Sequence, residues 1–319
     1  MTWFGAEIDG PMIVVRTIHF AATAVTAGAL MFRGVVAEPA LRSQRDASAI
    51  VDSRIRKVAW ISLAIAMVSG LTWVLWLTMS LSGESLGEAV MSGALRDVLN
   101  LTQFGWISQI RLALAIVLAI CLVFQRSALC RGLALAAAVG LVASIAWTGH
   151  AGSTPHKLGY LHLASDALHL IAAAAWIGGL VPLALLLTAG RRYHLLAWAA
   201  LELELVRRFS LLGIVSVATL IASGLINAWI LVGSFAGLVV TLYGWILMLK
   251  LIVFAIMVAL ATVNRFRLTP QLALSRGSEA QCDALRSLTR NTVTEIALGL
   301  LVFAIVGLLG TLHPASHFM

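Results

Sequence analysis

Three ionisable side chains stand four and three residues apart in one apolar run: His162, Asp166 and His169. On a helix, positions i, i+4 and i+7 share a face, so two imidazoles and a carboxylate project together from a segment otherwise rich in Leu, Ile and Ala. Met12, Arg16 and His19 repeat that spacing near the N-terminus. In both segments a glycine follows the last histidine by nine residues, Gly28 after His19 and Gly178 after His169. Imidazole suits copper, zinc, iron and nickel, and an added thioether moves the preference towards Cu(I). An ionisable group inside a bilayer costs about 2.5–3.5 kcal/mol on insertion scales, so each of these needs a partner or a purpose.

The surrounding chain supplies the apolar medium. Of 319 residues, 61% are hydrophobic and only 11% charged, with a mean hydropathy of +0.97. Such a chain is an all-α polytopic membrane bundle, not a soluble globular protein. Eight spans are expected, roughly at 12–37, 58–82, 104–125, 129–149, 158–188, 206–232, 242–264 and 288–311. Arginines and Lys57 gather in the connections after the first, third, fifth and seventh spans. That alternation predicts both termini outside, in the periplasm of a Gram-negative cell. The net charge of +8 then reflects cytoplasmic loops and needs no nucleic acid. No cationic segment precedes the first span, so no cleaved signal peptide is expected. Cys121, Cys130 and Cys282 show neither metal-ligand spacing nor a disulfide framework.

The two histidine segments belong to a longer correspondence. Ser69-Gly70-Leu71 in the second span matches Ser223-Gly224-Leu225 in the sixth. Phe104-Gly105-Trp106, with Arg111 and Arg126 beyond it, matches Tyr243-Gly244-Trp245 with Lys250 and Arg265 at the same separations. Thr148-Gly149-His150 matches Thr311-Leu312-His313. The order predicts a tandem repeat of four plus four spans, residues 1–149 and 150–319, parallel because four is even.

Facing repeats would set His19 against His169, Arg16 against Asp166 as a salt bridge, Met12 against His162, and His150 against His313. The resulting metal site comprises His19, His169, His162, His150, His313 and Met12, supported by Arg16, Asp166, Arg111 and Lys250. Met79, Met91 and Met319 map to the same side, and His156 and His317 lie at its surface. No nucleotide-binding loop or phosphorylation domain is visible, so the chain reads as a transporter or metal-binding protein rather than an enzyme. A second reading takes His19 and His169 as axial ligands of one b-type haem. A third is a scaffold that moves no metal. Asn227 and Glu295 read as groups satisfied by neighbouring helices.

The chain resembles the copper resistance protein D (CopD) family of bacterial inner-membrane proteins. The likeness rests on Gly149-His150-Ala151, on Leu168-His169-Leu170 through Trp176-Ile177-Gly178-Gly179-Leu180, and on Arg208-Phe209-Ser210. It continues through Tyr243-Gly244-Trp245 with Lys250-Leu251, Asn264-Arg265 with Leu268 and Pro270, and Glu295. The resemblance implies a role in copper homeostasis beside a soluble periplasmic copper carrier of the copper resistance protein C type. It implies no ligand set; the site residues above come from the repeat.

Overall fold

The computed structural model describes residues 2–3, 6–7, 9–42, 47–125, 127–193, 196–274, 279–314 and 316. Arg126, His194, His317 and Met319 lie outside that set, as does the side chain of His156. Eight helices among the described residues are long and apolar enough to cross a membrane. They are α1 (Gly10–Leu41), α2 (Ser48–Ser82), α3 (Gln103–Val123), α4 (Ala128–Thr148), α5 (Lys157–Ala189), α6 (Ala200–Val232), α7 (Leu242–Leu274) and α8 (Glu279–Leu309). A two-residue antiparallel pair, Thr2–Trp3 with Ala6–Glu7, is the sole strand pairing among the described residues.

Helix boundaries differ from the hydropathy reading mainly at the arginine-rich end. There α2 begins about ten residues before the expected span, α7 runs ten further, and α8 starts nine earlier. Apolar content marks where lipid begins, whereas backbone hydrogen bonding continues a helix into water wherever residues such as Arg, Lys, Gln and Leu follow. Arg33 ties this end together, pairing with Asp52 at 3.3 Å and with Glu38 at 3.6 Å.

At the opposite end, short helices Leu86–Met91, Ala94–Leu101 and Phe235–Val240 fill connections that hydropathy leaves blank. The first opens on a capping box, in which the backbone N–H and hydroxyl of Ser85 both donate to the Glu88 carboxylate. Those donors hold that exposed carboxyl below the usual carboxylate range.

The Gly-Trp motifs are explained here. Thr102 caps α3, its hydroxyl accepting from Gly105 N–H at 3.0 Å and donating to Val98 O, while Trp106 Nε1 donates to Asn100 O. Thr241 caps α7 in the same way, accepting from Gly244 N–H at 3.0 Å and donating to Gly237 O, while Trp245 Nε1 donates to Val239 O. A side chain at Gly105 or Gly244 would collide with the carbonyl of Val98 or Leu238. A tight turn into a membrane helix therefore needs Thr, Gly and Trp together.

The bundle is centred on α1 and α5, the two most buried spans, each 78% buried over its most apolar window. They meet backbone to backbone at Gly28 and Gly178. A Cβ on Gly28 would lie 2.6 Å from Gly178 Cα, and one on Gly178 would lie 2.7 Å from the Ala24 carbonyl carbon and collide with its oxygen. Helices in lipid gain little from hydrophobic association, so close approach at small residues holds such crossings through van der Waals contact.

Candidate functional site

From the crossing, His19 and His169 each lie nine residues back along their helices, roughly 13 Å at 1.5 Å per residue. They turn away from each other, His19 towards α2 and α3 and His169 towards α6 and α7. His19 Nδ1 lies 3.0 Å from Ala66 O and 3.1 Å from Ser69 Oγ on α2, and its Nε2 meets the guanidinium of Arg111 on α3. His169 Nδ1 lies 3.0 Å from Ser223 Oγ on α6, with the Leu220 carbonyl as a further partner. Lys250 of α7 is near enough to act on the ring electrostatically. Ser69 and Ser223 head the matched Ser-Gly-Leu triplets, and Gly70 and Gly224 lie beside the two Cε1 atoms.

The two settings part company four residues after the serines, at Trp73 and Asn227. Trp73 packs edge-on to His19 at 5.7 Å between centroids and against Phe104 at 5.2 Å. It fills the space beside the ring. Asn227 is small and leaves a cavity of about 350 Å³ beside His169. This cavity lies between α1, α4, α5, α6, α7 and α8, at the end opposite the arginine-rich loops.

His162, Asp166 and His169 all line the cavity, as their i, i+4, i+7 spacing requires, with His150, Lys250 and Arg16. His162 Nδ1 is 2.7 Å from Thr154 Oγ1. With Nδ1 of His162 and of His169 each held by a hydroxyl, Nε2 of each is the nitrogen left for a ligand. His150 Nε2 lies 3.3 Å from Leu309 O, and its ring meets Tyr243 edge-on. Asp166 accepts from Asn227 Nδ2 at 3.2 Å. Asn227 Oδ1 is buried with no partner among the described residues, an acceptor beside a carboxylate.

Several expected neighbours are elsewhere. His19 and Arg111 do not line the cavity, because each is the other's partner. Met12 is buried in the core, its backbone N–H capped by Asp9. His313 is exposed beyond the end of α8. The expected Arg16–Asp166 salt bridge does not form among the described residues. Arg16 donates instead to Gly310 O at 2.8 Å and lies over the rings of Phe20 and Trp73. The last carbonyls of a helix lack partners within it, so the end of α8 is a natural acceptor for a guanidinium, and ring faces attract it as well. No three His, Cys, Asp or Glu side chains among the described residues are grouped to hold one ion. What the cavity offers is separate donors along one helix face.

Sequence comparisons give this arrangement its family. Residues 203–309 match the copper resistance protein D family, and residues 7–160 match the N-terminal domain described as copper resistance protein D-like. Over 280 residues, 85% of this chain and 87% of the relative, it is 31% identical to copper resistance protein D of Pseudomonas syringae pv. tomato. Over 313 residues, 95% of this chain and 98% of the relative, it is 30% identical to inner membrane protein YebZ of Escherichia coli (strain K12). Copper transport protein CutJ of Bacillus subtilis (strain 168) is 31% identical over 191 residues, 57% of this chain and 34% of that one. No solved structure matches the chain. With eight apolar helices and relatives aligned over most of their length, the chain belongs to the copper resistance protein D family.

Proposed function

We propose that the histidine cavity is where this protein takes up copper from the periplasmic side of a bacterial inner membrane. The observation that carries the reading is the single face of α5, where His162, Asp166 and His169 line one cavity and hydroxyl groups engage Nδ1 of both imidazoles. Seven residues of helix separate the two rings by roughly 10 Å, too far for one ion to bind both. Copper would therefore pass from His162 to His169 in turn, with Asp166 and Asn227 Oδ1 between them offsetting the charges of Lys250 and Arg16. Two parallel four-helix repeats, both termini periplasmic, account for the matched contacts of His19 and His169. A soluble carrier of the copper resistance protein C type would deliver the ion at the end bearing His150 and the exposed His313.

A haem shared by His19 and His169 draws no support from this geometry, since Nε2 of His19 faces Arg111 and the ring lies outside the cavity. The test is metal analysis of the purified chain alongside its visible spectrum. The wild type should bind copper without a Soret band. Replacing His162 and His169 together by Ala should lower copper affinity at least tenfold, about 1.4 kcal/mol, while His19→Ala leaves affinity unchanged. Copper binding lost with His19→Ala but kept in the double variant would sink the assignment.

A further inference from the structure

A second cavity, of about 380 Å³, lies nearer the arginine-rich end between α5, α6, α7 and α8. Trp176 and Ile221 line both cavities and so stand between them. At its wall is Glu295 of α8, 2% exposed. Asn264 Nδ2 donates to Glu295 Oε1 at 2.7 Å, and the Trp176 indole is close enough to the same carboxylate to act on it. Asn291 Nδ2 donates to Asn264 Oδ1 at 2.8 Å, which fixes the direction of the Asn264 amide. Trp176 and Asn264 both come from π-helical turns, Ala174–Gly178 and Asn264–Leu268. Such turns break the regular helical hydrogen-bond ladder and recur at functional sites; here two of them stand beside one carboxylate.

Among the described residues that carboxylate has no counter-cation. Arg265 of α7 is the other charged side chain lining the cavity, and its guanidinium donates to Ser210 Oγ of α6 at 2.7 Å. No ion pair joins Arg265 to Glu295 among the described residues. From α5 the cavity receives Trp176 and leucines, and from α8 Leu288 and Thr292 besides Glu295, so among the described residues no further acid or base faces it. A bare carboxylate at this depth is costly, so it calls for a positive species. The nearby donors include no thiolate, thioether or imidazole, which disfavours copper. One carboxylate oxygen already accepts from Asn264, leaving too few free oxygens for a hard metal cation. A proton remains.

We propose that Glu295 is a proton-binding site and that its proton controls Trp176 as the partition between the two cavities. A proton from water at the arginine-rich end joins a carboxylate oxygen and later returns to water; no electron moves. The indole N–H bonds an anionic carboxylate more strongly than a neutral acid. Deprotonated Glu295 therefore holds Trp176 across the passage, and protonation releases it. The proton site stands on its own geometry, whereas its coupling to copper rests on the transport reading above.

Infrared difference spectra of the full chain in lipid nanodiscs, recorded between acid and alkaline pH, test the site directly. The wild type should show a carboxylic acid carbonyl band that Glu295→Gln lacks, while Trp176→Phe keeps it. Copper uptake into proteoliposomes under imposed pH differences tests the coupling. Wild-type rates should differ about fivefold or more between the two gradient directions, and both Glu295→Gln and Trp176→Phe should lose that difference. Spectra of Glu295→Gln identical to wild type would overturn the proton site. Uptake in Glu295→Gln that still follows the gradient would overturn the coupling. A band assigned to Glu295 without copper movement in the wild type keeps the site and removes the transport reading instead.

Discussion

Gly178→Leu should yield no folded, monodisperse protein after solubilisation, whereas Gly132→Leu should purify like the wild type. At Gly178 a side chain would enter the backbone of α1 at Ala24 and Val25, where neighbouring atoms are main chain and cannot rotate aside. Relief requires α1 and α5 to separate, and these are the two most buried spans. Overpacking a core that can adjust its side chains costs about 1–3 kcal/mol. A crossing held by backbone contact has no such adjustment, so the loss lies at or above that range and removes much of a stability of about 5–15 kcal/mol. A Cβ at Gly132 meets no atom within 4 Å, so that variant controls for helix propensity and lipid-facing bulk. Size-exclusion profiles and Tm in detergent read the difference. Equal behaviour of the two variants would show that the crossing does not organise the bundle.

The same crossing shows what the sequence can and cannot convey. Gly28 and Gly178 were legible as a pair because each follows a histidine at one fixed interval, and helical periodicity carries intervals faithfully. For the same reason His162, Asp166 and His169 were placed on one face without coordinates. Direction is another matter. A shared interval is equally compatible with histidines turned towards each other or away, and the contacts that settle it come from Ser69, Ser223 and Arg111, many residues distant. Glu295 reads from the sequence only as a group satisfied by neighbouring helices, because Trp176 and Asn264 sit in π-helical turns, where the 3.6-residue period used to read faces no longer holds. The sequence does carry one signal of the difference between the two settings: aligning the two Ser-Gly-Leu triplets sets Trp73 opposite Asn227 two residues later.

That difference supports a second prediction with a large effect. Asn227→Trp should weaken copper binding at the cavity roughly 10- to 100-fold while leaving the fold intact. In the first half Trp73 packs against His19 and Phe104. In the second half the matched residues are His169 and Tyr243, and both line the cavity. An indole at 227 would pack in the same way and occupy the space beside the His169 ring. Burying an aromatic side chain stabilises by about 1.5–3 kcal/mol, and copper would have to displace it, which weakens binding roughly 10- to 100-fold. The substitution also removes the 3.2 Å hydrogen bond to Asp166, worth about 1 kcal/mol. Asn227→Leu removes the same bond but leaves most of the space, so it should bind copper within a few-fold of wild type. Titration of each purified variant with Cu(I), paired with its Tm, separates occlusion from loss of the amide. If Asn227→Trp binds copper as tightly as wild type, the ion does not enter beside His169. Equal losses in the two variants would instead assign the effect to the Asp166 partner.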